Sequence, residues 1–95
     1  MAVARVFDGN GWTIEQYDAL IEGLMERMNL DGTSAPGVLF HWAGPVEGGV
    51  RAIDVYESRK AADTLAQNHI APVAQELGLS MPEIAEYEVH RYLTP

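Results

Sequence analysis

Apolar residues fall at Ile14, Tyr17, Leu20, Ile21, Leu24, Met25 and Met28, in steps of three and four that trace one face of a helix. Glu15, Asp18, Glu22 and Glu26 take the opposite face, as solvent requires. Thr13, with Gln16 three residues later, matches a capping box and sets the start. Asn29 ends the helix, and Asp31 to Gly37 reads as a loop. Upstream, Val3 to Phe7 is a short β-prone run that ends at the turn cluster Asp8-Gly9-Asn10-Gly11. Downstream, Val38 to Ala43 predicts a second strand broken by Gly44-Pro45, with Gly48-Gly49 as the other half of a hairpin connection. Val50 to Glu57 predicts a third strand.

Ser58 is a suitable N-cap for a second helix reaching about Leu77, with Gly78 as its stop. Its apolar face collects Ala61, Ala62, Leu65, His69, Val73 and Leu77. Pro72 lies inside that span, removes one backbone donor and clashes with the carbonyl of Asn68, so a kink or break is expected there. Ile84 to Leu93 reads as the last strand. The order β, α, β, β, α, β is the split βαβ arrangement. The expected fold is therefore α+β and ferredoxin-like: one domain over residues 1–95, a four-stranded antiparallel sheet with both helices on one face.

Such a sheet leaves its second face bare. Strand alternation sets Val38, Phe40 and Trp42 against Leu39, His41 and Ala43, and both sets are largely apolar. Val50, Ala52, Asp54 and Tyr56 oppose Arg51, Ile53, Val55 and Glu57, and neither set is fully solvated. A sheet buried on both sides in a chain this short needs a partner, and a second copy packed about a twofold axis supplies one. A homodimer is the expectation.

Composition narrows the field further. Ninety-five residues buy little core, and the absence of cysteine removes disulfides and thiolate metal sites as reinforcement. Fourteen acids against six bases give a net charge of −8, which disfavours nucleic acid and anionic lipid surfaces as partners. No apolar run approaches the length of a membrane span and no signal-peptide pattern opens the chain, so the expected location is cytoplasmic.

The phrase Phe40-His41-Trp42-Ala43-Gly44-Pro45, then Gly48-Gly49 and Arg51-Ala52-Ile53-Asp54-Val55-Tyr56-Glu57-Ser58, resembles the small bacterial members of the dimeric α+β barrel superfamily. The nearest group is the antibiotic biosynthesis monooxygenase-like domains. The resemblance implies the same fold, a dimer, and a small aromatic or polyketide-like ligand. It also implies chemistry from a short list: cofactor-independent quinol oxygenation, haem degradation or polyketide cyclisation. Quinol oxygenases of this fold use an asparagine, a tryptophan and an arginine, and this chain has Asn68, Trp42 and Arg91 among its residues of those types. Haem-degrading relatives carry a tryptophan and a histidine on the second helix. His69 fits the latter, but that helix has no tryptophan. No cofactor is expected. Cyclases suggest histidine–tyrosine acid/base work.

Three histidines are candidates for acid/base chemistry, and their spacing matches no metal motif. His69 lies on the apolar stripe of the second helix and is expected to point at the sheet, either as a catalytic imidazole in a cavity or as a core histidine bonded to a carbonyl. His41 meets His69 in one pocket if its face of the strand looks at the helices, and is a structural contact if it looks away. His90 shares the more polar side of the last strand with Glu86, Glu88 and Tyr92 and reads as structural. Trp42, Phe40, Tyr17, Tyr56, Tyr87 and Tyr92 are candidates for the walls of a flat slot, with Asn68 and Arg51 as polar anchors; Arg51 could equally pair with Glu47 or Glu57. The leading expectation is an enzyme in which His69 or His41 takes a proton from a phenol or enol, held by Trp42, Asn68, Phe40, Tyr17 and Tyr56. The alternatives are a cyclase, a non-catalytic metabolite-binding dimer, and a domain whose interior is filled by its own side chains.

Overall fold

The computed structural model describes residues 1–30 and 35–93. Part of the expected 31–37 loop, residues 31–34, thus lies outside the described residues. The elements are β1 (Val3–Asn10), α1 (Ile14–Met28), β2 (Val38–Val46), β3 (Gly49–Tyr56), α2 (Arg59–Leu65), a π-helical turn (Ala66–Ile70), α3 (Ala71–Glu76) and β4 (Glu83–Glu88). The four strands form one antiparallel sheet in the order β2-β3-β1-β4. The ferredoxin-like order holds.

Helix α1 is built as the pattern predicts. Thr13 and Gln16 form a reciprocal capping box, and Asn29 closes the helix in the left-handed conformation (φ 55°) that asparagine tolerates. Leu30 donates its N–H back to the Met25 carbonyl. Several strand limits differ from expectation. β1 runs through Asp8, Gly9 and Asn10, because each has a partner across the ladder on β3. β2 continues through Gly44-Pro45 to Val46, since an edge strand tolerates a proline that a central one would not. The turn is therefore Glu47-Gly48, with Gly48 at φ 83°. β4 stops at Glu88, so Val89 to Leu93 is not strand; a last backbone bond runs from the Val89 N–H to the Ala2 carbonyl.

The second helix answers Pro72 with the π-helical turn rather than a simple break. The Ala71 N–H reaches back five residues to the Ala66 carbonyl. The Asn68 carbonyl, which a proline cannot satisfy, accepts a hydrogen bond from Arg27 Nη2 at 3.0 Å. The wider turn also shifts the inward stripe by one residue. Ile70 packs on the core cluster of Val3, Tyr56, Ala62 and Leu65, in the place that regular helical spacing gives to His69. Leu77, expected on the same stripe, is exposed.

A second cluster joins α1 to α3 through Leu20, Val73 and Ala74, with Trp12, Leu24 and Leu79 around it. The helices meet closely at Gly23, where an added Cβ would lie 2.7 Å from Val73 Cγ1. Gly23→Ala is expected to destabilise the fold by about 1–3 kcal/mol through overpacking, despite alanine's better helix propensity. Urea unfolding measures this, and adding Val73→Ala to the Gly23→Ala chain should then cost less than the same change in the parent. Equal costs in both backgrounds would show that the two residues do not press on each other.

Candidate functional site

Cross-strand pairing settles which sheet face meets the helices. Val50, Ala52, Asp54 and Tyr56 of β3 pair with Gly9, Phe7, Arg5 and Val3 of β1, and the helix-side core contains Val3 and Tyr56. The helix-facing set is therefore the one with Asp54. On β2 the alternation is interrupted. Val38 pairs with Tyr56, but the next registered pair is Phe40 with Val55, so Leu39 is the extra residue of a β-bulge. After it, His41 stands opposite Asp54 and Trp42 opposite Ile53. Unbroken alternation would keep Val38, Phe40 and Trp42 on one face; with the bulge, Val38 and His41 are both on the helix side and Trp42 is on the other.

Between α1 and the sheet lies a cavity of about 510 Å³, within the size range of small-molecule sites. Leu20, Ile21, Leu24, Met25 and Met28 of α1 form one wall, with Phe7, Ala52 and Val50 on the sheet opposite. Tyr17, His41 and Asp54 converge at one place in its lining.

These side chains form a line. The Tyr17 hydroxyl is 2.5 Å from His41 Nε2, His41 Nδ1 bonds Asp54 Oδ1, and Asp54 Oδ2 accepts from the Tyr56 hydroxyl at 2.7 Å. Asp54 is the buried charged residue of the core, and both of its oxygens are occupied. A carboxylate only accepts, so Nδ1 of His41 carries a proton and Nε2 of the neutral ring is left to accept from Tyr17. The two rings lie within 6° of parallel with centroids 6.1 Å apart, consistent with the hydroxyl meeting the imidazole at its edge.

Electrostatics follow from this arrangement. The hydrogen bond to Asp54 raises the His41 pKa above its usual 6.5, outweighing the opposing effect of burial. Burial, then the Asp54 and Asp18 charges, push the Tyr17 hydroxyl up to about 12, so it remains protonated at neutral pH. Burial and Asp54 push Tyr56 further still.

The other candidates are placed elsewhere. His69 does not reach His41: it is half-buried, lines a separate smaller hollow with Ser58 and Lys60, and lies 3.4 Å from Arg27 Nε. Asn68 is exposed, and its recorded contact is the backbone carbonyl held by Arg27. Trp42 is 46% exposed on the sheet face away from the helices. Tyr56 is fully buried beneath Asp54, while Phe40 lines the cavity from the edge strand. Tyr87 and Tyr92 are exposed, as are His90 and Arg91 beyond β4. Asn68, Trp42 and Arg91 are therefore not assembled into one site within this chain. Arg51 pairs with Asp8, at 2.7 Å, instead of Glu47 or Glu57. Asp54 and Trp12 also line the cavity and were not among the candidate site residues. Asp54 was legible in principle, because a two-residue turn at Glu47-Gly48 sets it directly across from His41. Among the described residues, no three metal-ligating side chains converge, and no helix is long and apolar enough to cross a membrane.

No protein-family model matches the chain, and no curated protein is significantly similar in sequence. Solved structures do share its fold. Rv0793 from Mycobacterium tuberculosis superposes with a TM-score of 0.66 at 14% identity, covering 99% of this chain and 100% of that one. SnoaB, a cofactor-independent oxygenase from Streptomyces nogalater, matches with TM-score 0.59 at 20% identity, over 99% of this chain and 96% of its own. The monooxygenase ActVA-Orf6 of Streptomyces coelicolor, solved with nanaomycin D, gives 0.59 at 20% identity over 99% and 91%. The chain therefore has the same ferredoxin-like α+β fold as these solved structures.

Because Asp54 favours the charged imidazole, the His41 resonances are expected to titrate with a midpoint above 6.5 in NMR spectra, and Asp54→Asn should move that midpoint down. A raised folded-state pKa means that the stabilisation is complete below the unfolded value of about 6.5 and is lost as pH rises through the folded midpoint. The melting-temperature advantage over His41→Gln should accordingly narrow across that interval. A midpoint unmoved by Asp54→Asn would disprove the pairing.

Proposed function

We propose that this chain is a small-molecule enzyme of the antibiotic biosynthesis monooxygenase-like type, which deprotonates an aromatic or polyketide-like phenol or enol in the cavity beneath α1. One observation carries the reading: a largely apolar cavity is lined by a histidine whose far nitrogen is held by a buried carboxylate. That is the arrangement of an oriented general base. Asp54 fixes the tautomer of His41 and stabilises the imidazolium formed when His41 takes a proton. The apolar walls hold a flat ring and keep water away from the anion left behind. An electron-rich phenolate or enolate reacts directly with dioxygen, and the oxygenase neighbours favour that outcome. Quenching the same anion within a folded polyketide gives the cyclase alternative.

The working unit on this reading is a homodimer. The sheet face away from the helices carries Trp42, Ile53, Val6 and Tyr87, and Trp42 and Tyr87 are 46% and 59% exposed. A twofold packing of two such faces buries this patch. Trp42 would then contribute to the interface.

Oxygen uptake and product formation with a panel of polycyclic phenols test the chemistry. His41→Gln is expected to lower turnover by about 100- to 10,000-fold, while His69→Ala leaves it nearly unchanged. The rate should rise with pH through a midpoint above 6.5, because the base must be neutral to act. Binding without conversion across the panel would favour the metabolite-binding alternative, and undiminished rates in His41→Gln would eliminate this mechanism. Native mass spectrometry should give the mass of two chains for the parent and one for Trp42→Lys.

A further inference from the structure

Both nitrogens of His41 are already occupied. Nδ1 faces Asp54 and Nε2 faces the Tyr17 hydroxyl. A substrate in the cavity therefore cannot hand its proton to the imidazole without first displacing Tyr17. The phenolic oxygen of Tyr17 is placed differently. It spends its own proton on His41 and keeps lone pairs with which to accept a hydrogen bond. It also projects from the helix face that forms the cavity wall, one turn before Leu20 and Ile21.

Resting on the acid/base reading above, we infer that Tyr17 is the residue that touches the substrate hydroxyl, and that His41 receives the proton through it. As the substrate O–H bond breaks, a bond forms between that hydrogen and Tyr17 Oη. The original Tyr17 O–H bond breaks in the same motion, and its hydrogen bonds to His41 Nε2. The products are a substrate anion, a neutral Tyr17 and an imidazolium against Asp54. No electrons leave the substrate at this stage and no other reactant is consumed. Tyr17 is a donor again when the transfer ends, so it hydrogen-bonds the anion that it has helped to create.

The lining also constrains the charge of the ligand. Among the described lining residues there is no lysine or arginine, and Asp54 supplies the buried negative charge. A ligand that enters as a carboxylate or phosphate meets no cation and adds charge of the same sign. The site is built for a molecule that arrives neutral and becomes an anion only as His41 becomes a cation.

A chromogenic phenol reads this step without turnover. 4-Nitrophenol changes its absorption spectrum on ionisation, so titration with protein reports both affinity and the protonation state of the bound probe. In the parent protein the bound probe is expected to ionise at lower pH than it does in solution. Tyr17→Phe keeps the ring and its packing. It should still bind the probe, within about threefold, but the downward shift of its ionisation midpoint should disappear. His41→Gln should bind the probe and likewise abolish the shift. 4-Nitrobenzoate, similar in shape but already charged, should bind at least tenfold more weakly than 4-nitrophenol. A full shift retained in Tyr17→Phe would overturn the relay while leaving His41 as a direct base. Failure of any neutral phenol to bind the parent protein would remove the ligand reading itself, and the relay with it.

Discussion

The buried carboxylate of Asp54 is the constraint on which the site depends. A charge inside so small a core is tolerated only when its oxygens are satisfied, and here Tyr56 and His41 satisfy one each. That requirement fixes the rotamer of Tyr56, the fully buried centre of the helix-side core, and the orientation of the imidazole on the neighbouring strand. The imidazole then fixes Tyr17 on α1. One carboxylate thus ties the central strand, the edge strand and the first helix together at the polar end of an otherwise apolar space.

Two local irregularities make this possible. The bulge at Leu39 changes the phase of β2 between its two ends, so that Val38 and His41 both face the helices. The π-helical turn before Pro72 does the corresponding work on the other layer, bringing Ile70 inward and setting His69 aside. Arg27 links the two helices by occupying the carbonyl that Pro72 leaves without a partner. Neither irregularity is a defect in an ideal pattern; each decides which of two neighbouring residues belongs to the cavity.

The same irregularities explain what the sequence could and could not show. The fold was legible because it rests on regular periods: the heptad-like stripe of α1, its capping box, and strands marked by glycine-rich turns. The site was only partly legible. His41 and Tyr17 stood out by residue type, but the phase of β2 was hidden, because the bulge at Leu39 lets Val38 and His41 share a face that strict alternation denies them. Reading Gly44-Pro45 as the end of β2 also hid the two-residue turn that sets His41 opposite Asp54. His69 was misplaced for a definite reason, since a π-helical turn invalidates the four-residue spacing that put it on the inward face. Asn68 and Trp42 matched a resemblance by type alone, and residue type carries no position.

The cavity and the bare sheet face bear on one another energetically. Unfilled volume of several hundred Å³ forgoes packing that a domain of this length can hardly spare. An interior evolved only for stability would close it, and the half-buried methionines and leucines of α1 are flexible enough to do so. That they leave it open is what the proposed ligand rests on. On the opposite face of the same sheet, the apolar side chains Trp42 and Tyr87 stay exposed. In the proposed dimer, a second copy on that face and a ligand beneath α1 would be complementary, with Ala52, Asp54 and Ile53 on the two sides of a single strand connecting them.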